Sequence, residues 1–174
     1  MPVKRLNHAV LYVRDAERSA QFYGSVLGFE RLSMGAGLRG AVFMRAGGST
    51  NDHDLGLFSV GDGVGDSGAG RSTVGLYHLA WEVDTLSELE RLAGALREAG
   101  ALVGASDHGT TKSLYGKDPD GLEFEVAWVV PADRLDQEAL DSRSRISTLD
   151  LDREKTRYGA ETPGGIGISA PATA

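Results

Sequence analysis

Two segments of the chain resemble each other at an offset of 70 residues, and this internal repeat is the strongest constraint on the fold. Residues 6–13 read LNHAVLYV, and residues 76–83 read LYHLAWEV. The segments share their first leucine, their histidine and their last valine, and both are rich in residues that favour β-strands. The repeat therefore predicts two copies of one structural unit, each beginning with a strand.

Each repeated segment is followed by a helix pattern with a clear start and stop. In the first half, Asp15 is a candidate N-cap and Gly28 ends a run of apolar residues at helical spacing. In the second half, Thr85 and Glu88 form a capping box and Gly100 ends the pattern. Strand-like runs then occur at 29–34, 41–45 and 55–60 in the first half, and at 101–104, 112–116 and 122–130 in the second. Each half is thus predicted to be a β-α-β-β-β module, the alternative being chance similarity within a generic α+β domain.

This order of elements predicts an α+β protein built from two β-α-β-β-β modules in residues 1–130. The predicted divisions are a first module at 1–60, a Gly-rich loop at 61–75, a second module at 76–130 and a C-terminal extension at 131–174. Five of the first ten residues of the loop are glycine, which is typical of a flexible connection. The extension carries a helical pattern at 133–146, and we expect it to pack on the modules or on a partner subunit.

The composition excludes several classes of function. The chain has no cysteine, which rules out disulfides, thiolate metal ligands and a cysteine nucleophile. A formal net charge of −7, from 18 basic and 25 acidic residues, argues against nucleic acid and anionic membranes as partners. No apolar run approaches the ~20 residues of a membrane span, and the N-terminus lacks the apolar stretch of a signal peptide. We therefore expect a cytoplasmic protein.

Three of the predicted strands each carry one residue of a metal-ligand type. Side chains alternate between the two faces of a strand. In the last strand Glu125 lies on the face opposite the apolar residues, while His8 and His78 occupy equivalent places in the two repeats. Two histidines with one carboxylate match the facial triad that binds Fe(II) and leaves coordination positions open, and the same set also suits Mn²⁺, Zn²⁺ or Ni²⁺. Taken singly, each residue is more often an ordinary core or surface residue.

Residues 1–130 resemble the vicinal oxygen chelate superfamily, which includes glyoxalase I, extradiol dioxygenases and bleomycin-resistance proteins. The resemblance implies paired modules whose mixed sheets curl around a metal pocket. It also implies ligands from the first strand of each module and from the last strand of the second. His8, His78 and Glu125 fall on those positions, and Glu125 follows the Asp-Pro-Asp-Gly turn at 118–121 as the family pattern expects.

Three further residues resemble the catalytic set of extradiol dioxygenases. The run at 51–57, NDHDLGL, is similar to the stretch that carries the acid–base histidine, which implies that role for His53. Tyr115 falls where those enzymes place a tyrosine that binds the substrate oxygen, and His108 lies near a histidine that orients oxygen or gates the pocket. The resemblance is therefore closest to a small extradiol dioxygenase that uses Fe(II) and O2 to open the ring of a catechol-type substrate.

Two other activities of the same fold stay open. A glyoxalase-I-like lyase or isomerase usually takes a fourth ligand from the last strand of the first module, but the run at 55–60 has no carboxylate. Asp54 precedes that run and would be the ligand only if the register shifts. A non-catalytic binder of the bleomycin-resistance type does not need the triad, although the acidic charge suits a cationic ligand. Small members of the family are often dimers, so we expect a homodimer or a higher homo-oligomer.

Overall fold

The computed structural model describes residues 2–3, 5–35, 37–70 and 72–168, and the chain divides into two compact units. The first unit comprises Met1–Gly68 together with Asp118–Leu122. The second comprises Ala69–Lys117 and Glu123–Ala174. No helix in the described ranges is long and apolar enough to cross a membrane.

The first unit contains one helix and a four-stranded mixed sheet. Its elements are β1 (Ala9–Val13), α1 (Ala16–Leu27), β2 (Glu30–Arg31), β3 (Ala41–Arg45) and β4 (Leu55–Ser59). The strands lie in the order β1-β4-β3-β2, with β1 parallel to β4 and the other pairs antiparallel. This is the predicted β-α-β-β-β order.

Helix α1 begins and ends where the sequence predicts. The Asp15 carboxylate accepts hydrogen bonds from the backbone N–H of Glu17 and of Arg18, which satisfies two of the free donors at the helix start. Gly28 ends the helix at φ 77°, a left-handed conformation that glycine adopts without a steric penalty. The buried face of the helix, which includes Tyr23, packs on β3 and β4.

A short acidic turn, Asp118–Leu122, is part of the first unit although it follows β7 along the chain. The Tyr23 hydroxyl donates to the Asp118 carboxylate at 3.3 Å. The Asp120 carboxylate forms ion pairs with Arg14, at 3.2 Å, and with Arg18. These contacts attach the turn to α1 and to the short segment between β1 and α1.

The second unit repeats the same order and continues into the C-terminal extension. Its elements are β5 (Leu79–Glu82), α2 (Leu86–Glu98), β6 (Leu102–Asp107), β7 (Thr111–Lys117), β8 (Glu123–Val129), a 3-10 helix (Ala132–Arg134), α3 (Gln137–Ser142), β9 (Ser147–Thr148) and α4 (Leu151–Tyr158). The sheet order is β5-β8-β7-β6-β9, with β5 parallel to β8. Two mixed sheets with few helices confirm the predicted α+β class.

Helix α2 packs its apolar stripe on the sheet of the second unit. The Thr85 hydroxyl accepts a hydrogen bond from the Glu88 backbone N–H at 3.1 Å, which confirms this half of the predicted capping box. The stripe residues Leu86, Leu89, Ala93 and Leu96 are all buried. In β8, Phe124, Val126 and Trp128 are buried as the alternation predicts. Glu125 therefore lies on the opposite face of this sheet.

Several element boundaries differ from the sequence predictions. The first strands begin at Ala9 and Leu79, so each repeated histidine lies immediately before its strand. The helical pattern at 133–146 is confirmed only in part, because a 3-10 helix and the short helix α3 occupy this segment separately. Helix α4 and strand β9 were not predicted. Helices α3 and α4 begin where Asp136 and Asp150 accept backbone N–H donors, and such caps start new helices rather than extending one.

Candidate functional site

The first unit places His8 beside His53. Because β1 and β4 are parallel and pair Ala9 with Leu55, the segments that precede these strands end at the same edge of the sheet. The two imidazole rings lie 4.4 Å apart between centroids. His8 is exposed, whereas the His53 side chain is 15% exposed and makes a T-shaped contact with the Phe43 ring, with centroids 5.1 Å apart.

Asp54 organises the loop that presents His53. Its buried carboxylate accepts hydrogen bonds from the Ala46 backbone N–H at 2.9 Å, the Ser49 hydroxyl at 2.8 Å and the Asn51 amide at 2.7 Å. Burial by itself raises the pKa of Asp54, but these donors outweigh it and hold the pKa below its usual value. Both carboxylate oxygens of Asp54, the candidate fourth metal ligand, therefore accept hydrogen bonds from its own loop.

The second unit brings His78 and Glu125 into direct contact. Parallel pairing of β5 with β8 sets Ala80 opposite Glu125, so His78, two residues earlier, shares the same face. His78 Nε2 lies 3.1 Å from Glu125 Oε2, and the side chains are 25% and 14% exposed. The other ring nitrogen, His78 Nδ1, is buried without a hydrogen-bond partner among the described residues.

Tyr115 and His108 lie next to this pair. Antiparallel pairing of β7 with β8 sets Tyr115 opposite Glu125, and the Tyr115 ring lies 5.8 Å from the His78 ring. The Tyr115 hydroxyl is 2.8 Å from His108 Nε2, with the proton on either atom according to the histidine tautomer. Burial, followed by the negative charge of Glu125, raises the pKa of Tyr115. The phenol therefore stays protonated at neutral pH and is able to donate a hydrogen bond.

The predicted site residues thus form two groups. Four of them, His78, His108, Tyr115 and Glu125, come together in the second unit, while His8 and His53 are neighbours in the first. In the part of the chain that the structure describes, no group of three or more His, Asp or Glu side chains is preassembled to hold a metal ion.

The contact between His78 and Glu125 has the chemistry and spacing of two ligands of one divalent ion. Two donors bound at about 2.1 Å and at right angles lie about 3.0 Å apart, close to the 3.1 Å between His78 Nε2 and Glu125 Oε2. Imidazole nitrogen and carboxylate oxygen suit Fe(II), Mn²⁺ and Zn²⁺ alike. His78 Nδ1 is buried without a hydrogen-bond partner among the described residues, which is rare for a polar atom. This fits a site in which a bound group, and not only protein atoms, completes the polar contacts.

Sequence reasoning missed the contact between Phe43 and His53. Val42 and Met44 are buried on one face of β3, which leaves Phe43 on the other, where its ring packs against His53. The alternation of the strand run at 41–45 contained this signal. The anchoring role of Asn51, whose amide donates to the Asn7 carbonyl at 2.8 Å, had no such signal because it joins segments far apart in the sequence.

Comparison with known proteins gives one family and several relatives. A family model described as the Glyoxalase/Bleomycin resistance protein/Dioxygenase superfamily matches residues 5–126. A catechol-2,3-dioxygenase of Bacillus subtilis (strain 168) is 32% identical over 122 residues, which are 70% of this chain and 40% of that protein. The chain therefore spans less than half the length of this curated relative.

Solved structures share the fold of the paired units. A glyoxylase/bleomycin resistance protein/dioxygenase domain from Frankia sp. EAN1pec matches with a TM-score of 0.60 and 23% identity, covering 72% of this chain and 92% of that one. A lactoylglutathione lyase from Agrobacterium tumefaciens matches with a TM-score of 0.53 and 22% identity, covering 73% of this chain and 95% of the other. At these identities the structures show the fold alone.

Proposed function

The chain belongs to the glyoxalase/bleomycin resistance protein/dioxygenase superfamily, and we propose that within it the protein is an extradiol dioxygenase acting on a catechol-type substrate. The reaction consumes one O2 per catechol, breaks the ring C–C bond beside the two hydroxyl-bearing carbons, and places both oxygen atoms in the product. The observation that carries the proposal is the cluster of His78, Glu125, Tyr115 and His108 on one sheet face. The 32% identity to a catechol-2,3-dioxygenase supports it.

The proposed metal ligands are His8, His78 and Glu125. In this assignment the contact between His78 and Glu125 supplies two donors, and His8, exposed before β1, supplies the third. When bound, Fe(II) supplies Lewis acidity toward adjacent hydroxyl oxygens and the electrons that make O2 reactive; Mn²⁺, Zn²⁺ or Ni²⁺ fit the same donors.

His53 is the proposed acid–base group. A neutral imidazole has one ring nitrogen that accepts a proton, so His53 is suited to take a proton from a substrate hydroxyl and to return it later. Asp52 Oδ2 lies 3.1 Å from His53 Nδ1, which orients the ring and leaves Nε2 for the substrate. The loop organised by Asp54 and the edge of the Phe43 ring restrict the movement of this side chain.

Tyr115 and His108 are proposed to act on the substrate oxygen as a coupled pair. In this role His108, with its proton on Nε2, donates to the phenol oxygen, which fixes the direction of the hydroxyl group and leaves the phenol proton for the substrate oxygen. An oriented donor costs no reorganisation when charge develops on the substrate oxygen. The pair therefore supplies positioning and charge stabilisation rather than a covalent step.

One experiment tests both the metal assignment and the reaction class. The full chain is loaded anaerobically with Fe(II), and oxygen uptake is measured with a panel of catechols; one O2 consumed per substrate, with ring-opened product, is expected. Retained metal with no uptake, but isomerisation of a thiol adduct under Zn²⁺ or Ni²⁺, would instead assign a glyoxalase-I-like lyase. A chain that retains no metal would be a non-catalytic small-molecule binder.

Matched variants separate ligands from other site residues. Glu125→Gln is expected to weaken metal binding by more than about 100-fold. Loss of a residue that only hydrogen-bonds to a metal ligand weakens binding by roughly 10–100-fold, and loss of a ligand itself should cost more. Glu123→Gln, on the same face of β8 and paired only loosely with Lys117 at 3.8 Å, is the control and should leave metal affinity unchanged. His53→Gln should keep the metal while turnover falls by about 10²–10⁴-fold. Metal loss in His53→Gln would mean that this histidine is a ligand.

The oligomeric state is a separate part of the proposal. Small members of the superfamily are often dimers, so we propose a homodimer that works on a small aromatic substrate and O2. Light scattering on the purified chain, with an expected mass of about twice 18.4 kDa, tests this directly.

A further inference from the structure

We propose that the C-terminal extension positions His108 by holding the turn between β6 and β7. The inference rests on the proposed function, in which His108 orients the Tyr115 hydroxyl. The extension begins after residue 130, beyond the segment 5–126 that matches the family model, so the family match does not describe this support. Two independent sets of contacts carry the inference, one on each side of His108.

The first set of contacts acts through Asp107, the residue before His108. Arg153 of α4 donates to Asp107 Oδ2 at 3.1 Å. Lys112 Nζ lies 2.5 Å from Asp107 Oδ1 and 3.0 Å from Glu154 Oε2. Lys112, Asp107 and Glu154 are all buried, so the lysine attracts each of the two carboxylates with little screening by solvent. Helix α4 is thereby fixed to the residue adjacent to His108.

The second set of contacts acts through Gly109, the residue after His108. A Cβ atom at Gly109 would lie 2.4 Å from the Ala139 carbonyl oxygen and 2.9 Å from the Arg143 backbone nitrogen. The turn is therefore in direct backbone contact with the end of α3. Gly109 also has φ +76°, and its N–H donates to Asp107 Oδ1 at 2.8 Å.

Strand β9 closes the same turn from the sheet edge. It pairs with the end of β6, where Asp107 lies opposite Ser147. Three elements of the extension, α3, β9 and α4, therefore contact the two residues that flank His108. Since the direction of a side chain follows its backbone, this support sets where His108 Nε2 meets the Tyr115 hydroxyl at 2.8 Å.

The main test compares two glycine-to-alanine variants at positive φ. Gly109→Ala must displace either the turn or α3, whereas Gly121→Ala, at φ +81° with nothing within 4 Å of its added Cβ, imposes strain without a clash. The measurement is the side-chain ¹⁵N spectrum of the full chain without metal. His108 is assigned by the signals lost in His108→Gln. A ring fixed by Tyr115 gives two well-separated nitrogen shifts, and a loosened ring averages them.

We expect the two His108 shifts to converge in Gly109→Ala and to stay apart in Gly121→Ala. In the Fe(II)-loaded protein, kcat for catechol should fall by about 100-fold in Gly109→Ala, because displacements near 1 Å have effects of this size. The metal affinity should change little, because neither Gly109 nor its neighbours are proposed ligands. The KM for catechol should also change little, because the Tyr115 hydroxyl stabilises charge that develops only during the reaction.

A milder pair of variants keeps the test decisive if Gly109→Ala fails to fold. Arg153→Gln removes the contact between α4 and Asp107, while Lys155→Gln on the same helix removes ion pairs to Glu90 and Asp152, which lie outside the turn and α3. His108 shifts should converge partially in Arg153→Gln, recover in Arg153→Lys and stay unchanged in Lys155→Gln.

The outcomes separate this inference from the proposed function. Unchanged His108 shifts in Gly109→Ala and in Arg153→Gln would overturn the positioning role, whatever the activity. If the His108 shifts converge in these variants but the wild-type protein takes up no O2 with any catechol, the positioning role is supported and the proposed function fails.

Discussion

Lys112→Met provides the sharpest test of how the second unit is stabilised. Lys112 is 1% exposed and is the cation shared by two buried carboxylates, those of Asp107 and Glu154. Methionine keeps most of the side-chain volume but removes the charge. Loss of one partner of a buried ion pair costs about 3–5 kcal/mol. Arg153, 56% exposed, still reaches both carboxylates at 3.1 and 2.8 Å, so we expect the lower end of this range, about 3 kcal/mol.

The assay is urea unfolding at pH 7, followed by circular dichroism and by tryptophan fluorescence. Trp128 is buried against Tyr158 of α4, with ring centroids 5.4 Å apart, so its emission reports whether α4 stays attached. Lys155→Met is the matched control on the same helix. Lys155 pairs with Glu90 and Asp152 at the surface, and we expect its loss to lower the free energy of unfolding far less than the loss of Lys112.

Two further measurements identify charge as the cause. The penalty of Lys112→Met should shrink as the pH is lowered toward 4, because a buried carboxylate without its cation is relieved by binding a proton. Adding Glu154→Gln should restore part of the lost stability, since one unpaired charge is then absent. A loss below about 1 kcal/mol at pH 7, or a double variant no more stable than Lys112→Met, would refute this reasoning.

Three other predictions address local features. Thr85→Ala removes the side-chain cap of α2 and should lower the free energy of unfolding by about 1 kcal/mol, measured by urea denaturation. The pKa of Asp54 is lower in the folded protein than in the unfolded chain. Its contribution to stability is therefore fully present above its pKa in the unfolded chain and is lost as the pH falls through its pKa in the folded protein. Asp54→Ala should therefore be less stable than wild type at pH 7, and unfolding curves should converge well below pH 3.8. Burial raises the pKa of Tyr158 to about 12, so the stability that its protonated phenol contributes is present below pH 10 and is lost as the pH rises through 12. Tyr158→Phe has no such loss and should resist unfolding at alkaline pH, which is measured by absorbance.

Local features of the fold were predictable from sequence because they depend on neighbouring residues. The caps at Asp15 and Thr85 and the stop at Gly28 lie where the sequence indicates, since each acts within one helical turn. The faces of β8 follow from strict alternation, which placed Glu125 opposite the buried residues of its strand.

Tertiary contacts of the extension were not predictable in the same way. Lys112 and Glu154 form a buried pair across a long stretch of chain, and neither residue carries a local signal of its partner. The helical pattern at 133–146 gave the wrong boundaries because Asp136 offered a cap inside the run. His78 and Glu125 meet in the second unit as the face assignments imply, but the contact between His108 and Tyr115 depends on the turn at Gly109.

The acidic turn Asp118–Leu122 has a consequence for synthesis of the chain. The first unit contains this turn, yet residues 69–117 are translated between Gly68 and Asp118. At roughly 5–20 residues per second, Arg18 and Tyr23 are made several seconds before Asp120 and Asp118, their partners in the turn. The first unit therefore completes these contacts only after residues 69–117 of the second unit have been made.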